Sequence, residues 1–204
     1  MNYHLGFLLV LSGTSGAGKD TVLHRLLEVD DNLKLSISAT TRTPREGEVD
    51  KKDYFFISKS EFIQMISKDE MLEHAQYCEN YYGTPRGPVD EWRGKGKDVI
   101  LEIEVQGGEQ IRAKCPDSVS VFIMPPSLKI LGDRLRNRGT EPEEVICKRL
   151  KAAREEILQA ARYDYIVIND DLEECVQEIR KIIAAEKHKT ARMSNMIKGV
   201  LENA

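Results

Sequence analysis

Seven consecutive residues, Gly13-Thr14-Ser15-Gly16-Ala17-Gly18-Lys19, fit the spacing of a glycine, any four residues, then glycine and lysine. The chemistry of that pattern is polyphosphate binding. Successive backbone N–H groups face the anion with no Cβ in the way, and the helix that follows aims its positive end at it. Lys19 adds a full charge at the β- and γ-phosphates. The residue after such a lysine is ordinarily Ser or Thr, whose hydroxyl ligates Mg2+. Here it is Asp20, followed by Thr21, and Asp20 is expected to reach the ion through water.

Further along, Arg42 and Arg45 flank Pro44 in a turn-like segment. Two guanidinium forks three residues apart suit a dianionic monophosphate, and the hydroxyls of Tyr54 and Tyr82 are of a type to donate to it. Glu102 and Glu104 end an apolar run. With side chains alternating in direction they are expected on one face of a strand, where acids suit Mg2+ waters or an acceptor site. Arg134 and Arg138 stand i and i+4, hence on one helical face, with Arg149 beyond the Arg138–Pro142 loop. Cations of this kind stabilise a transferring γ-phosphoryl group, whose charge spreads over three oxygens. The four histidines, His4, His24, His74 and His188, fall outside all of these positions.

The elements that must carry these residues alternate between strand and helix, as in an α/β domain with a mostly parallel sheet. Phe7–Leu11 reads as a central strand covered on both faces, and Lys19–Val29 as the helix after it, with Val22, Leu23, Leu26 and Leu27 on one side. Val99–Val105, Ser118–Ile123 and Tyr165–Ile168 are further strands. Helices are predicted over Gln106–Lys114, Ser127–Asn137, Glu143–Arg162 and Asp171–Lys187. Between Leu35 and Gly96 the pattern shifts to short aromatic strands, Tyr54–Ile57 and Tyr81–Tyr82 among them, punctuated by Gly and Pro. One helix there opens with the capping-box spelling Ser58-x-x-Glu61. The basic stretch from Lys187 to Lys198 and the polar tail to Ala204 read as a solvated end.

Composition closes off other classes. The 204 residues allow one compact domain with small inserts, and 41% hydrophobic with 31% charged residues supply both a core and solubility. A net charge of −4 argues against general attraction to nucleic acid or anionic lipid. The four cysteines, Cys78, Cys115, Cys147 and Cys175, lie about thirty residues apart without CxxC spacing, as expected of free thiols in a reducing compartment. The one apolar run near the start is too short to span a bilayer and carries no basic n-region. A soluble, cytoplasmic protein is expected.

The stretch Ser38-Ala-Thr-Thr-Arg42-Thr-Pro-Arg45-Glu-Gly-Glu48, then Asp53-Tyr54-Phe-Phe, Glu73, and Asn80-Tyr-Tyr82-Gly83-Thr84 resembles the acceptor-binding signature of guanylate kinases. The likeness continues through Ile100-Leu-Glu-Ile-Glu-Val-Gln-Gly107, Pro125-Pro-Ser127, Arg138-Gly-Thr140 and Ile168-Asn-Asp-Asp171, covering about residues 6 to 187. It implies an α/β fold: a P-loop kinase core whose parallel sheet is flanked by helices, a small α+β GMP-binding insert, and a lid. On this sequence that gives a single domain over 1–204, with core at 5–34, 97–127 and 163–187, insert at 35–96, lid and adjoining helices at 128–162, and tail at 188–204.

The implied reaction is Mg2+-dependent, in-line transfer of the ATP γ-phosphoryl to GMP. The resemblance puts Gly13, Thr14, Ser15, Gly16, Ala17, Gly18, Lys19, Asp20, Thr21 and Asn169 on ATP. It puts Ser38, Arg42, Arg45, Tyr54, Glu73, Tyr82, Thr84, Glu102 and Glu104 on GMP, and assigns catalysis to Lys19, Arg42, Arg134, Arg138 and Arg149. Glu73 would read the base, because guanine presents an N1–H and a 2-amino group side by side and one carboxylate accepts both. The implied partners are small molecules, ATP and GMP, rather than nucleic acid or membrane. Use of dGMP, the division of roles between Glu102 and Glu104, and a monomeric or homo-oligomeric state are left open.

Overall fold

The computed structural model describes residues 5–139 and 141–202; His4, Thr140 and the last two residues of the tail lie outside the described residues. In chain order the elements are β1 (Leu8–Gly13), α1 (Lys19–Val29), β2 (Leu33–Leu35), β3 (Ala39–Thr40), β4 (Phe55–Phe56), α2 (Lys59–Ser67), β5 (Met71–Tyr77), β6 (Asn80–Pro85) and α3 (Arg86–Gly94). They continue with β7 (Asp98–Glu102), α4 (Val105–Lys114), β8 (Val119–Met124), α5 (Leu128–Asn137), α6 (Glu143–Gln159), a 3-10 turn (Ala160–Arg162), β9 (Tyr165–Ile168), α7 (Leu172–Lys187) and α8 (Ser194–Glu202). The strands form a five-stranded parallel sheet and a second sheet of four strands, so the fold is the α/β class expected of the alternating pattern.

The chain divides into two compact units. One holds Gly13–Asp30 and the chain from Val121 onward. Here β8 and β9 pair in parallel, from Val121 opposite Tyr165 to Met124 opposite Ile168. Helix α1 buries Val22, Leu23 and Leu26. Each such side chain contributes about 1.5–3 kcal/mol, more than the roughly 0.3 kcal/mol forgone because Gly18 offers no capping side chain. Helices α5 and α6 close over a cluster of Leu131, Leu135, Ile146 and Ala153. At the end of α7, buried Glu186 accepts hydrogen bonds from Tyr165 Oη at 2.6 Å and pairs with Lys189 Nζ at 2.6 Å. The tail beyond is therefore anchored at its root, and it forms the helix α8 where a solvated end is expected. Met196, Ile197, Val200 and Leu201 recur there at helical spacing and are exposed.

The other unit holds Gly6–Ser12 and Asp31–Ser120. Strand β1 is buried along its whole length and pairs in parallel with β7, Leu8 opposite Val99 through Leu11 opposite Glu102. Strand β2 flanks β7 on its other side. The four-stranded sheet runs β4-β3-β6-β5 over a cluster of Ala39, Phe62 and Met71, with Phe62 supplied by α2. Ser58 caps that helix, its Oγ accepting from the Glu61 N–H at 3.2 Å. Helix α3 replaces the punctuated loop that Pro85, Gly87 and Pro88 suggest. Pro88 falls in its first turn, where a missing N–H costs nothing.

One expectation for the acids is corrected. Strand β7 ends at Glu102, and Glu104 is the N-cap residue of α4, its carbonyl accepting the Gly108 N–H at 3.0 Å. The helix claims Glu104 before a second strand position forms, so Glu102 and Glu104 do not share a strand face. The four cysteines are free, as their spacing suggests. No helix among the described residues is long and apolar enough to cross a membrane.

Candidate active site

The phosphate loop, from Gly13 to Lys19, lies in the first unit and leads into α1. It tightens through a turn in which the Ala17 N–H donates to Thr14 O at 3.0 Å. Gly18 then takes φ +84, a left-handed conformation that a side chain would strain. Just there a Cβ would also lie 2.6 Å from Asn169 Nδ2. The Asn169 amide approaches this closely because Nδ2 donates to Ala17 O at 2.7 Å, a buried bond that holds a carbonyl of the loop. At Gly16 the loop rests on hydrocarbon instead, and a Cβ would fall 2.8 Å from Leu135 Cδ2 of α5.

Lys19 opens α1 with its side chain only 14% exposed, and its Nζ lies 3.9 Å from Asp20 Oδ1, whose side chain is 81% exposed. Beside the loop lies a cavity of about 430 Å³ lined by Gly16, Gly18, Thr21, Arg134, Arg138 and Asn169 among others. Arg134 donates to Asn169 O at 2.8 Å and Asp170 O at 3.3 Å, so its fork is engaged by backbone carbonyls. Arg138, the C-cap residue of α5, is exposed, and its backbone N–H donates to Arg136 O. Arg149 of α6 donates to Ser15 Oγ at 3.3 Å and pairs with Glu141. Thus Arg134, Arg138 and Asn169 share the cavity with the glycines, while Arg149 meets the loop at Ser15.

The second unit gathers the other set. Arg42 donates from Nη2 to Glu48 Oε1 at 2.8 Å and from Nη1 to Thr43 O at 2.8 Å, with its guanidinium over the rings of Tyr54 and Phe56. The Arg45 N–H donates to the other oxygen, Glu48 Oε2, at 2.7 Å. The Arg42 hydrogen bond, then the Arg45 N–H, holds the Glu48 carboxyl below its usual range. Tyr54 and Tyr82 meet edge to face with centroids 6.4 Å apart, and burial raises the Tyr54 phenol above its ordinary value. Half-buried Ser38 precedes β3, half-buried Glu102 ends β7, and Glu104 is exposed.

Glu73 is the unusual group, a carboxylate 5% exposed on β5. A bulge between Met71 and Glu73 breaks the alternation, so Met71 stays in the core cluster while Glu73 is re-aimed. Thr84, its cross-strand partner on β6, donates Oγ1 to Glu73 Oε1 at 2.7 Å. Burial raises the Glu73 carboxyl above its ordinary range, against the pull of the Thr84 hydrogen bonds. Sequence reasoning passes over two residues here. Glu48 is signalled only as an acid three residues after Arg45, and Gly107 only as a glycine in the first turn of a helix.

The family model for guanylate kinase matches residues 6–186. The chain belongs to the guanylate kinase family. Among curated relatives it is 52% identical to the guanylate kinase of Clostridioides difficile over 192 residues, 94% of each chain. It is 48% identical to that of Caldanaerobacter subterraneus, covering 98% of this chain and 97% of the relative. The crystal structure of guanylate kinase from Anaplasma phagocytophilum matches with a TM-score of 0.73 at 38% identity, over 93% of this chain and 90% of that one. Membership makes the chain a nucleotide-binding kinase, an enzyme of nucleotide phosphotransfer. One unit holds the glycine-rich loop with Lys19, and the other holds both the Arg42–Arg45 segment and the buried acid Glu73.

Proposed function

We propose that the chain transfers the γ-phosphoryl group of ATP to GMP, giving ADP and GDP. Buried Glu73 carries the reading. A carboxylate taken out of water and met, among the described residues, only by Thr84, whose hydroxyl donates at 2.7 Å and whose backbone also hydrogen-bonds it, is costly unless a ligand supplies further donors. The guanine edge does so through N1–H and the 2-amino group. Adenine has neither and would leave the acid unpaired, a mismatch worth on the order of 10⁴ in discrimination. Ser38, on the strand side of the same unit, is assigned to the base with Thr84.

Under this reading Arg42, Arg45, Tyr54 and Tyr82 take the GMP phosphate. The acceptor oxygen is largely ionised at neutral pH, since the second pKa of a phosphate monoester is about 6, so no general base is needed. The phosphate loop and Lys19 hold the ATP phosphates, Asn169 lies on the adenine side, and Arg134, Arg138 and Arg149 neutralise charge on the transferring group. Glu102 and Glu104 are assigned to the acceptor side.

The cofactor in this proposal is Mg2+, which when bound neutralises the phosphate oxygens. Among the described residues no cluster of three or more His, Cys, Asp or Glu side chains forms a cage. Asp20 instead offers one exposed carboxylate at the start of α1, which fits an ion that keeps its waters and takes most ligands from the nucleotide.

The test is ADP release measured across GMP, AMP, CMP, UMP and ribose phosphates. Turnover of GMP far above all others is expected; preference for AMP would overturn the base assignment.

A further inference from the structure

We propose that Gly107 determines base specificity, because the space left by its missing Cβ seats the carboxylate of Glu73. Gly107 is the third residue of α4, the helix packed against β5, and it is buried. A Cβ built on it would stand 2.8 Å from Glu73 Oε2 and 3.3 Å from Glu73 Cδ. Nothing else crowds the position to that degree, Ile103 Cβ being next at 3.4 Å. Any residue other than glycine therefore moves the acid before it moves the backbone.

The other oxygen has no comparable freedom. Oε1 is tethered by the Thr84 hydroxyl at 2.7 Å. A push at Oε2 with Oε1 held turns the carboxylate about the tether, tilting the plane in which two parallel donors must be met. Bidentate recognition requires both oxygens in register, so a displacement of a few tenths of an ångström costs the second bond first. Helix stability points the other way. Alanine is the better residue in a buried helical turn, and a glycine here lowers helix propensity. A position where the fold favours alanine and the neighbouring carboxylate requires glycine is set by the site.

This inference rests on the reading of Glu73 as the acid that recognises guanine. The experiment is a double-mutant cycle in the full chain, Gly107→Ala and Glu73→Ala singly and together. It is assayed with GMP and with IMP, which keeps N1–H and lacks the 2-amino group, alongside thermal melting. Gly107→Ala is expected to lower kcat/KM for GMP by about tenfold or more, to shrink the GMP:IMP ratio, and to leave KM for ATP and the Tm unchanged or the Tm higher. In the Glu73→Ala background it should cost nothing further. Equal losses in both backgrounds, a GMP:IMP ratio unchanged from wild type, or a collapse of the Tm would each overturn the role of Gly107. A wild-type chain that does not phosphorylate GMP would instead remove the underlying reading of Glu73.

Discussion

The carboxylate of Glu48 spans two groups of the paired-arginine segment, taking the Arg42 guanidinium at 2.8 Å on one oxygen and the Arg45 backbone N–H at 2.7 Å on the other. An anion thus already orders one of the cations assigned to the GMP phosphate, Arg42, and the backbone that carries the other. Glu48→Gln keeps the size and loses the charge and one acceptor, so Arg42 loses its fixed orientation. KM for GMP should rise about tenfold with KM for ATP unchanged; equal KM values in variant and wild type would show that Glu48 positions nothing. Because its carboxyl is held below the usual range by Arg42, it stays ionised as pH falls from neutral to mildly acid. Any stability it contributes is present above the ordinary carboxylate range and lost only as pH drops through the lowered value.

Glu73 has the opposite sign. Its carboxyl is raised from an ordinary 4.5 by burial, so stability linked to its protonation is present below that value and lost as pH rises through the raised one. Glu73→Gln should therefore raise the Tm of the empty protein at pH 8, with the gain vanishing below about pH 4.5. The same change should cut kcat/KM for GMP by on the order of 10² or more. A variant less stable than wild type at pH 8 would contradict the linkage, and one equally active would contradict the base reading.

Asn169 is expected to act on the loop as well as on any nucleotide. Asn169→Ala strips the donor from the buried Ala17 carbonyl, at a cost of about 1–3 kcal/mol. Chemical denaturation should report that loss, and KM for ATP should rise while KM for GMP holds. An unchanged midpoint would mean that water replaces the amide without penalty.

Lys19→Met removes the one full charge of the phosphate loop while keeping much of its hydrocarbon. A fall in kcat on the order of 10²–10³ is expected, with circular dichroism unaltered. GDP formation at the wild-type rate would take the loop out of the reaction.

The α/β class, the strand before the phosphate loop and the order of the long helices were legible because apolar runs and helical spacing are local. Helix α3 was not, since Pro85, Gly87 and Pro88 spell a turn unless one knows that Pro88 sits in a first turn. The strand position of Glu104 failed for a related reason: period-two alternation says where side chains point while a strand lasts, and nothing about where it ends. Glu73 shows the limit most sharply. Its burial depends on a bulge and on a partner eleven residues away, and neither is written in the spacing around it. Arg134 was readable as a cation near phosphate, but its grip on the carbonyls of Asn169 and Asp170 depends on a contact across more than thirty residues.

Gly16 leans on Leu135, a side chain of the cluster between α5 and α6. The nucleotide-facing loop and the oily interior therefore share one wall. Drift in the bulk of residue 135, the sort of exchange that most interiors absorb quietly, would here be transmitted to the curvature of the phosphate cradle. Sequence variation at that leucine is thereby coupled to chemistry it never touches.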